Sequence, residues 1–312
     1  MISGLPRHLA VVAHDAGAAN HIFSWLHDER PSLCLAGPSK ALWQARLKKN
    51  HHQSNSEPSG ADDLLCTDIE TALAGVTTVI TGTGWESSLE HEARRVARKL
   101  GIRSIAVIDH WTNYADRFVR NGEQVLPDEI WVSDIYAETI AKTTFPTVRV
   151  IQQVNAYLAS LVKEVESLQS KEAANGNDRV LYVLEPIRNA WGNLVDPGEF
   201  LALDYFIEHH KLAHVSENAE IRLRPHPSDP PGKYDAWLSR HTNYRVSLDN
   251  SCSLADALAW SNVVVGCQTY AMVLALACGR TVISTIPAWA PTCVLPHTGI
   301  IKLADRVRGP SF

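Results

Sequence analysis

Apolar residues in this chain fall into short unbroken runs, separated by polar turns and by longer stretches where they recur every three to four positions. Runs of four to six apolar residues, too short for a helix, predict strands buried on both faces. They occupy residues 9–13, 33–37, 76–81, 104–108, 130–134 and 148–151. Helical periodicity falls between them, at residues 20–26, 40–47, 89–100, from Tyr136 onward, and at 154–174. The polar break Asn175-Gly176-Asn177-Asp178 interrupts the pattern. Alternation then restarts, with strands at 180–184, 221–223, 244–248, 263–265 and 281–284 and helices at 200–210, 234–240, 254–260 and 270–278. Strand and helix alternating throughout argue for parallel α/β layers. The expected architecture is two doubly wound, Rossmann-like domains: residues 1–153, a connecting helix and linker at 154–177, and 178–312 with an irregular, Pro-rich tail from Pro287.

Composition narrows the function classes. The chain has 312 residues and a net charge of −5, so no global basic field argues for nucleic acid. No apolar run approaches a membrane span, and residues 1–8 lack the apolar core of a signal peptide, so a cytoplasmic location is expected. The six cysteines form no CxxC pair and mostly sit in apolar segments, which fits small buried hydrophobes and not a zinc site. Residues 50–63 are polar and aperiodic and read as a mobile surface loop, with His51 and His52 solvated. Several of the nine tryptophans (Trp85, Trp111, Trp131, Trp191 and Trp289) fall at expected strand ends or in loops, where they line a groove or fill core and interfaces.

The candidate chemistry lies at the strand ends, where open parallel sheets bind ligands. Arg224-Pro225-His226-Pro227-Ser228 follows a strand directly. Its prolines stiffen the turn, and an Arg and a His presented there suit phosphate oxygens. Gly266-Cys267-Gln268-Thr269 follows another strand and opens a helix, giving free N–H groups and a positive dipole end. Helix capping by Thr269 explains the same residues without a ligand. In the first half, His14-Asp15-Ala16-Gly17 is a small-residue turn that a ligand can approach; it is not a GxGxxG fingerprint. Glu86 sits at the next strand-to-helix turn, and Asp109-His110 ends a third strand. The charges of residues 89–100, acidic first and basic last, are explained by the helix dipole.

Residues 178–286 resemble the C-terminal domain of GT-B-type glycosyltransferases, the UDP-N-acetylglucosamine 2-epimerase fold and the CDP-glycerol polyol transferases. The resemblance rests on His226-Pro227, on the turn from Gly266 to Thr269, and on Gly279-Arg280-Thr281-Val282. Two positions depart from the pattern: Leu274 stands where a ribose-holding glutamate is usual, and Thr281 where a proline is usual. The resemblance implies two domains facing a cleft. The second would bind a nucleotide-sugar donor through Arg224, His226, Ser228, Gly266, Gln268 and Thr269. The first would offer His14 and Gly17 to the substrate and a base from Asp15, Asp109, His110 or Glu86 for a hydroxyl acceptor. It implies a bacterial surface-glycan transferase that needs neither metal nor resident cofactor. An epimerase or hydrolase on the same scaffold, or a non-catalytic binding protein, are the alternatives. The oligomeric state is not legible.

Overall fold

A computed structural model describes residues 5, 8–26, 29–53, 65–168, 178–191 and 195–308. The chain divides into two compact units, Met1–Tyr157 and Leu158–Phe312. Each unit is built on a six-stranded, all-parallel sheet with helices between most successive strands.

The first unit runs β1 (Leu9–Ala13), α1 (Ala16–Trp25), β2 (Ser32–Leu35), α2 (Gly37–Gln53), α3 (Ile69–Leu73) and β3 (Thr78–Thr81). It continues with α4 (Leu89–Leu100), β4 (Arg103–Val107), β5 (Val119–Arg120), β6 (Glu123–Gln124), β7 (Glu129–Val132), α5 (Ile135–Thr144) and β8 (Arg149–Gln152). Helix α6 (Ala156–Leu168) spans the boundary between the units. The second unit runs β9 (Arg179–Val183), α7 (Gly198–His209), β10 (Glu220–Arg224), α8 (Asp235–Arg240), β11 (Arg245–Leu248), α9 (Leu254–Trp260) and β12 (Val263–Gly266). It ends with α10 (Tyr270–Ala277), β13 (Thr281–Ser284), β14 (Ile300–Lys302) and α11 (Leu303–Arg308).

The unbroken apolar runs mean what the pattern predicts. All five residues of β1 are buried. Leu9, Val11 and Ala13 enter one core cluster with Ile22, Phe23 and Trp25 of α1, while Ala10 and Val12 enter another with Ala93 and Ala97 of α4. A strand covered on both faces cannot alternate apolar with polar, because both sets of side chains meet helices. In the second unit Val180 and Tyr182 of β9 join Phe206 of α7 and Trp237 of α8 in one cluster. A capping box opens α9: Ser253 accepts from the N–H of Asp256, and Asp256 accepts from the N–H of Ser253.

Some expectations change. Helix α2 continues through Gln53, so residues 50–53 are helical and not loop; the rest of that expected loop, residues 54–63, lies outside the described residues, as do the side chains of His51 and His52. The expected linker residues 169–177 also lie outside them. The tail is not irregular throughout: β14 pairs with β13 at the edge of the second sheet. Trp111 and Trp131 are buried, with their indole N–H groups donating to Asp134 and Glu129. The hairpin β5–β6 was not anticipated. Its turn is Asn121-Gly122, both in the left-handed region at φ 50° and 79°, which is the chemistry of a two-residue hairpin turn.

Strand order fixes where a ligand can sit. The first sheet runs β2-β1-β3-β4-β7-β8, and the second β11-β10-β9-β12-β13-β14. In the first, the chain leaves β1 toward β2 and returns on the other side at β3. In the second, it leaves β9 toward β10 and returns at β12. At such a reversal the helices following adjacent strands lie on opposite faces and leave a crevice at the strands' C-terminal ends.

Candidate functional site

The crevice of the first unit is built from the turns after β1 and β3. Asp15 caps α1 from an extended backbone: its carbonyl accepts from Ala19 N, while its side chain bonds no helix N–H. Its Oδ1 lies 2.7 Å from His14 Nδ1. Asp109 follows β4, and its Oδ1 accepts from Arg117 Nη1 at 3.2 Å. Arg117 also donates to the carbonyl of Thr112 and the hydroxyl of Thr83. His110 Nδ1 is 3.2 Å from Thr112 Oγ1, and burial lowers its pKa, with Arg117 acting the same way and Asp109 opposing. Asp15, Thr83, Trp85, Asp109, His110 and Arg117 line one pocket of about 520 Å³, with Arg120 at its wall.

Glycines make this crowding feasible. A Cβ on Gly17 would lie 1.7 Å from Asp109 Oδ2, and one on Gly84 would lie 1.9 Å from Asp15 Oδ2. Gly17 therefore makes room for a neighbouring carboxylate as well as for any ligand. The variant Gly17→Ala is expected to displace Asp109 and to cost about 1–3 kcal/mol, as overpacking does. Denaturant unfolding checks it against Gly75→Ala, where a Cβ meets open space and only the backbone strain at φ 70° remains.

Glu90 joins the turns. Its side chain is wholly buried at 0% exposure. Oε1 accepts from His14 N at 2.9 Å, and Oε2 from Gly84 N at 2.6 Å. One carboxyl thus ties the end of β1 to the end of β3 across the reversal. Burial raises its pKa; the two N–H bonds and Arg94 pull the other way. Arg94, one helical turn on, is also buried and donates to Thr81 Oγ1 and the carbonyl of Gly82; burial lowers its pKa to about 10. Glu86 turns outward instead: it is exposed and does not line the pocket. The glutamate that matters structurally sits four residues later, among the charges that the sequence pattern gives to the helix dipole.

The crevice of the second unit lies between the ends of β9 and β12. Glu185 follows β9, and its Oε2 accepts from Gln268 N at 2.9 Å. Burial pushes its pKa up to about 7, the Gln268 bond opposes this, and the charge of Glu199 adds to it. Thr269 caps α10, its hydroxyl accepting from Ala271 N, as the capping reading expects. The Gln268 side chain accepts from Val294 N at 3.2 Å. Gly266 is forced by packing: a Cβ there would lie 2.9 Å from the carbonyl of Val183 on the neighbouring strand.

The turn after β10 is tightly braced. His226 Nδ1 lies 2.8 Å from Ser228 Oγ, and His226 N donates to Asp229 Oδ2. Burial lowers the His226 pKa, and Lys233 and Arg188 lower it further against Asp229. Lys233 bridges Asp229 and Glu199 at 2.6 and 2.5 Å. Arg224 does not stand free: its Nη1 donates to Asp249, whose side chain is fully buried, at 2.5 Å. That bond makes Arg224 a strut between β10 and the turn after β11. Leu274 is buried in α10.

Sequence reasoning missed Glu90, Glu185 and the Asp229–Lys233–Glu199 cluster. Glu185 had a signal, since it directly follows a buried strand and strand order then puts it at the reversal. Among the described residues, no group of three or more His, Cys, Asp or Glu side chains is gathered as a metal ion would require. No helix among them is long and apolar enough to cross a membrane.

Two parallel-sheet, Rossmann-like units make this a GT-B-like α/β protein. Solved structures with this fold include the UDP-GlcNAc 2-epimerase from Methanocaldococcus jannaschii, with 10% identity over 88% of this chain and 83% of that one at a TM-score of 0.55. The Neisseria meningitidis UDP-GlcNAc 2-epimerase bound to UDP-GlcNAc shares 11% identity over 88% and 81% of the two chains, at 0.54. S. aureus MnaA with UDP shares 9% over 88% and 78%, at 0.58. No family model matches the sequence, and no curated protein matches it. At such identities the likeness is one of fold.

Proposed function

We propose that this protein acts on a nucleotide-sugar and does so without a separate acceptor, as an epimerase or hydrolase. The observation that carries the reading is the pocket of the first unit, which holds Asp15, Asp109 and His110 together. Changing configuration at a carbon requires one group to take a proton and a second to return one, and hydrolysis requires a base for water and an acid for the leaving group. A pocket with several such groups serves either reaction, whereas transfer to a hydroxyl asks for one base. The solved structures sharing the fold include epimerases, which favours the acceptor-free reading over the glycosyltransferase reading. Nucleotide binding is assigned to the second unit, at the His226–Ser228 turn and the Gln268–Thr269 turn.

The test is a panel of nucleotide-sugars screened for thermal stabilisation, the best then incubated alone and followed by NMR. Epimer or free sugar formed without acceptor is the expected result. Nucleotide release only when an acceptor is added would return the transferase reading, and stabilisation by no nucleotide would overturn both. Asp15→Asn is expected to lower turnover by about 10²-fold or more while leaving nucleotide affinity within about twofold. His226→Ala and Thr269→Ala are expected to weaken nucleotide binding instead.

A further inference from the structure

We propose that the pocket of the first unit receives the uncharged ring of a pyranose sugar, with the indole of Trp85 as its stacking face. This deepens the nucleotide-sugar reading by saying where the sugar goes, and its test uses free sugars so that the two can fail separately.

Three observations converge on it. First, Trp85 is 74% exposed beside a pocket otherwise lined by polar groups. Leaving so much indole in water forfeits burial that most tryptophans obtain. Second, the backbone that carries it is fixed on both sides of the preceding residue. Gly84 N donates to Glu90 Oε2 at 2.6 Å, and Gly84 O accepts from Arg120 Nη2 at 2.8 Å. Arg120 comes from the β5–β6 hairpin, so that hairpin and α4 together clamp the two peptide groups that flank the Gly84 Cα. An aromatic face set on a clamped backbone is held ready, and little ordering entropy remains to oppose binding.

Third, the polar lining suits hydroxyls better than phosphate or a nucleobase. Its guanidiniums are already engaged: Arg117 with Asp109, Thr83 and the Thr112 carbonyl, Arg120 with the Gly84 carbonyl. Three carboxylates, from Asp15, Asp109 and Asp116, face the same space. An anion would meet more negative than positive charge there. Vicinal hydroxyls instead donate to the carboxylates and accept from the Asn113 amide, while the C–H face of the ring lies on the positive-seeking face of the indole. The volume of about 520 Å³ falls in the range of small-ligand sites.

The experiment labels the full chain with 5-fluorotryptophan and assigns the Trp85 resonance from Trp85→Phe. Methyl glycosides of glucose, galactose and N-acetylglucosamine are titrated, with UDP as a separate probe. The expected result is a saturable shift of the Trp85 resonance with at least one glycoside and no shift with UDP. Trp85→Ala, at an exposed position that leaves the fold intact, should weaken that glycoside's affinity about three- to tenfold by saturation-transfer NMR. A Trp85 resonance that no glycoside moves, or that UDP alone moves, overturns the proposal, as does undiminished sugar binding in Trp85→Ala. A sugar-dependent shift in a protein that binds no nucleotide would uphold the pocket and overturn the nucleotide-sugar reading instead.

Discussion

Replacing Glu90 by Leu is expected to destabilise the first unit by about 2–4 kcal/mol. The carboxyl is wholly buried and is the acceptor for the N–H groups of His14 and Gly84. An apolar side chain of similar size removes both acceptors and leaves two donors stranded, each costing about 1–3 kcal/mol. Relief of burying a carboxyl offsets part of this, since burial already raises the Glu90 pKa. Glu90→Gln should cost about half as much, because its amide oxygen keeps one bond while its NH2 faces the other donor. Amide hydrogen exchange reads the effect where it arises. Protection should fall across β1 and β3 and stay unchanged across β9 and β12. Undiminished protection of the His14 and Gly84 amides in Glu90→Leu would show that Glu90 does not hold the turns.

Stability of the second unit should fall as pH rises from about 4.5 to about 7, and Glu185→Gln should abolish that fall. The folded state holds the Glu185 proton up to about pH 7, against an ordinary value of 4.5 in the unfolded chain. Between those values the folded state binds more protons than the unfolded one, so stability declines with rising pH. Below the window both forms are protonated and the contribution is fully present; above it the contribution is gone. The difference amounts to about 3 kcal/mol across the window. Glutamine keeps the acceptor for Gln268 N and has no proton to lose, so the variant should match wild type near pH 4.5 and exceed it at pH 8. Urea unfolding at a series of pH values, read from Trp237 in the second core, checks this. Parallel pH profiles for the two proteins would exclude Glu185 as the source.

The sheets were legible because their signal is strong and local. An unbroken apolar run such as Val263-Val264-Val265 has few meanings, and burial on both faces is one of them. Helix α4 shows where that legibility stops. Its buried side carries Glu90, His91 and Arg94 alongside Ala93 and Ala97. A hydropathy pattern assigns charged positions to solvent, so a helix that buries its charges against the middle strands of a sheet is read inside out. The β5–β6 hairpin failed for another reason: its strands have two residues each, too few for any periodicity, although Asn121-Gly122 announces the turn. The candidate site was half readable. Asp15, Asp109 and His110 follow from the ends of predicted strands. Which strands are neighbours does not, and the pairing of Glu185 with Gln268 N depends on β9 lying beside β12, residues 83 positions apart. The bond from Arg224 to Asp249 was not legible either, because Asp249 belongs to a turn that the sequence gives no reason to place beside it.

Strand order also bears on descent. The first sheet places its second strand outside its first, whereas the second sheet places two strands there, β10 and β11. Accumulated point substitutions do not convert one order into the other, because a strand would have to leave one flank of the sheet and join the opposite one. The halves are thus not simple tandem copies, and their similar crevices reflect what parallel strands with crossovers impose wherever the winding reverses. Residue-by-residue inference from one half to the other has no footing: Asp15 and Glu185 occupy comparable corners without being counterparts.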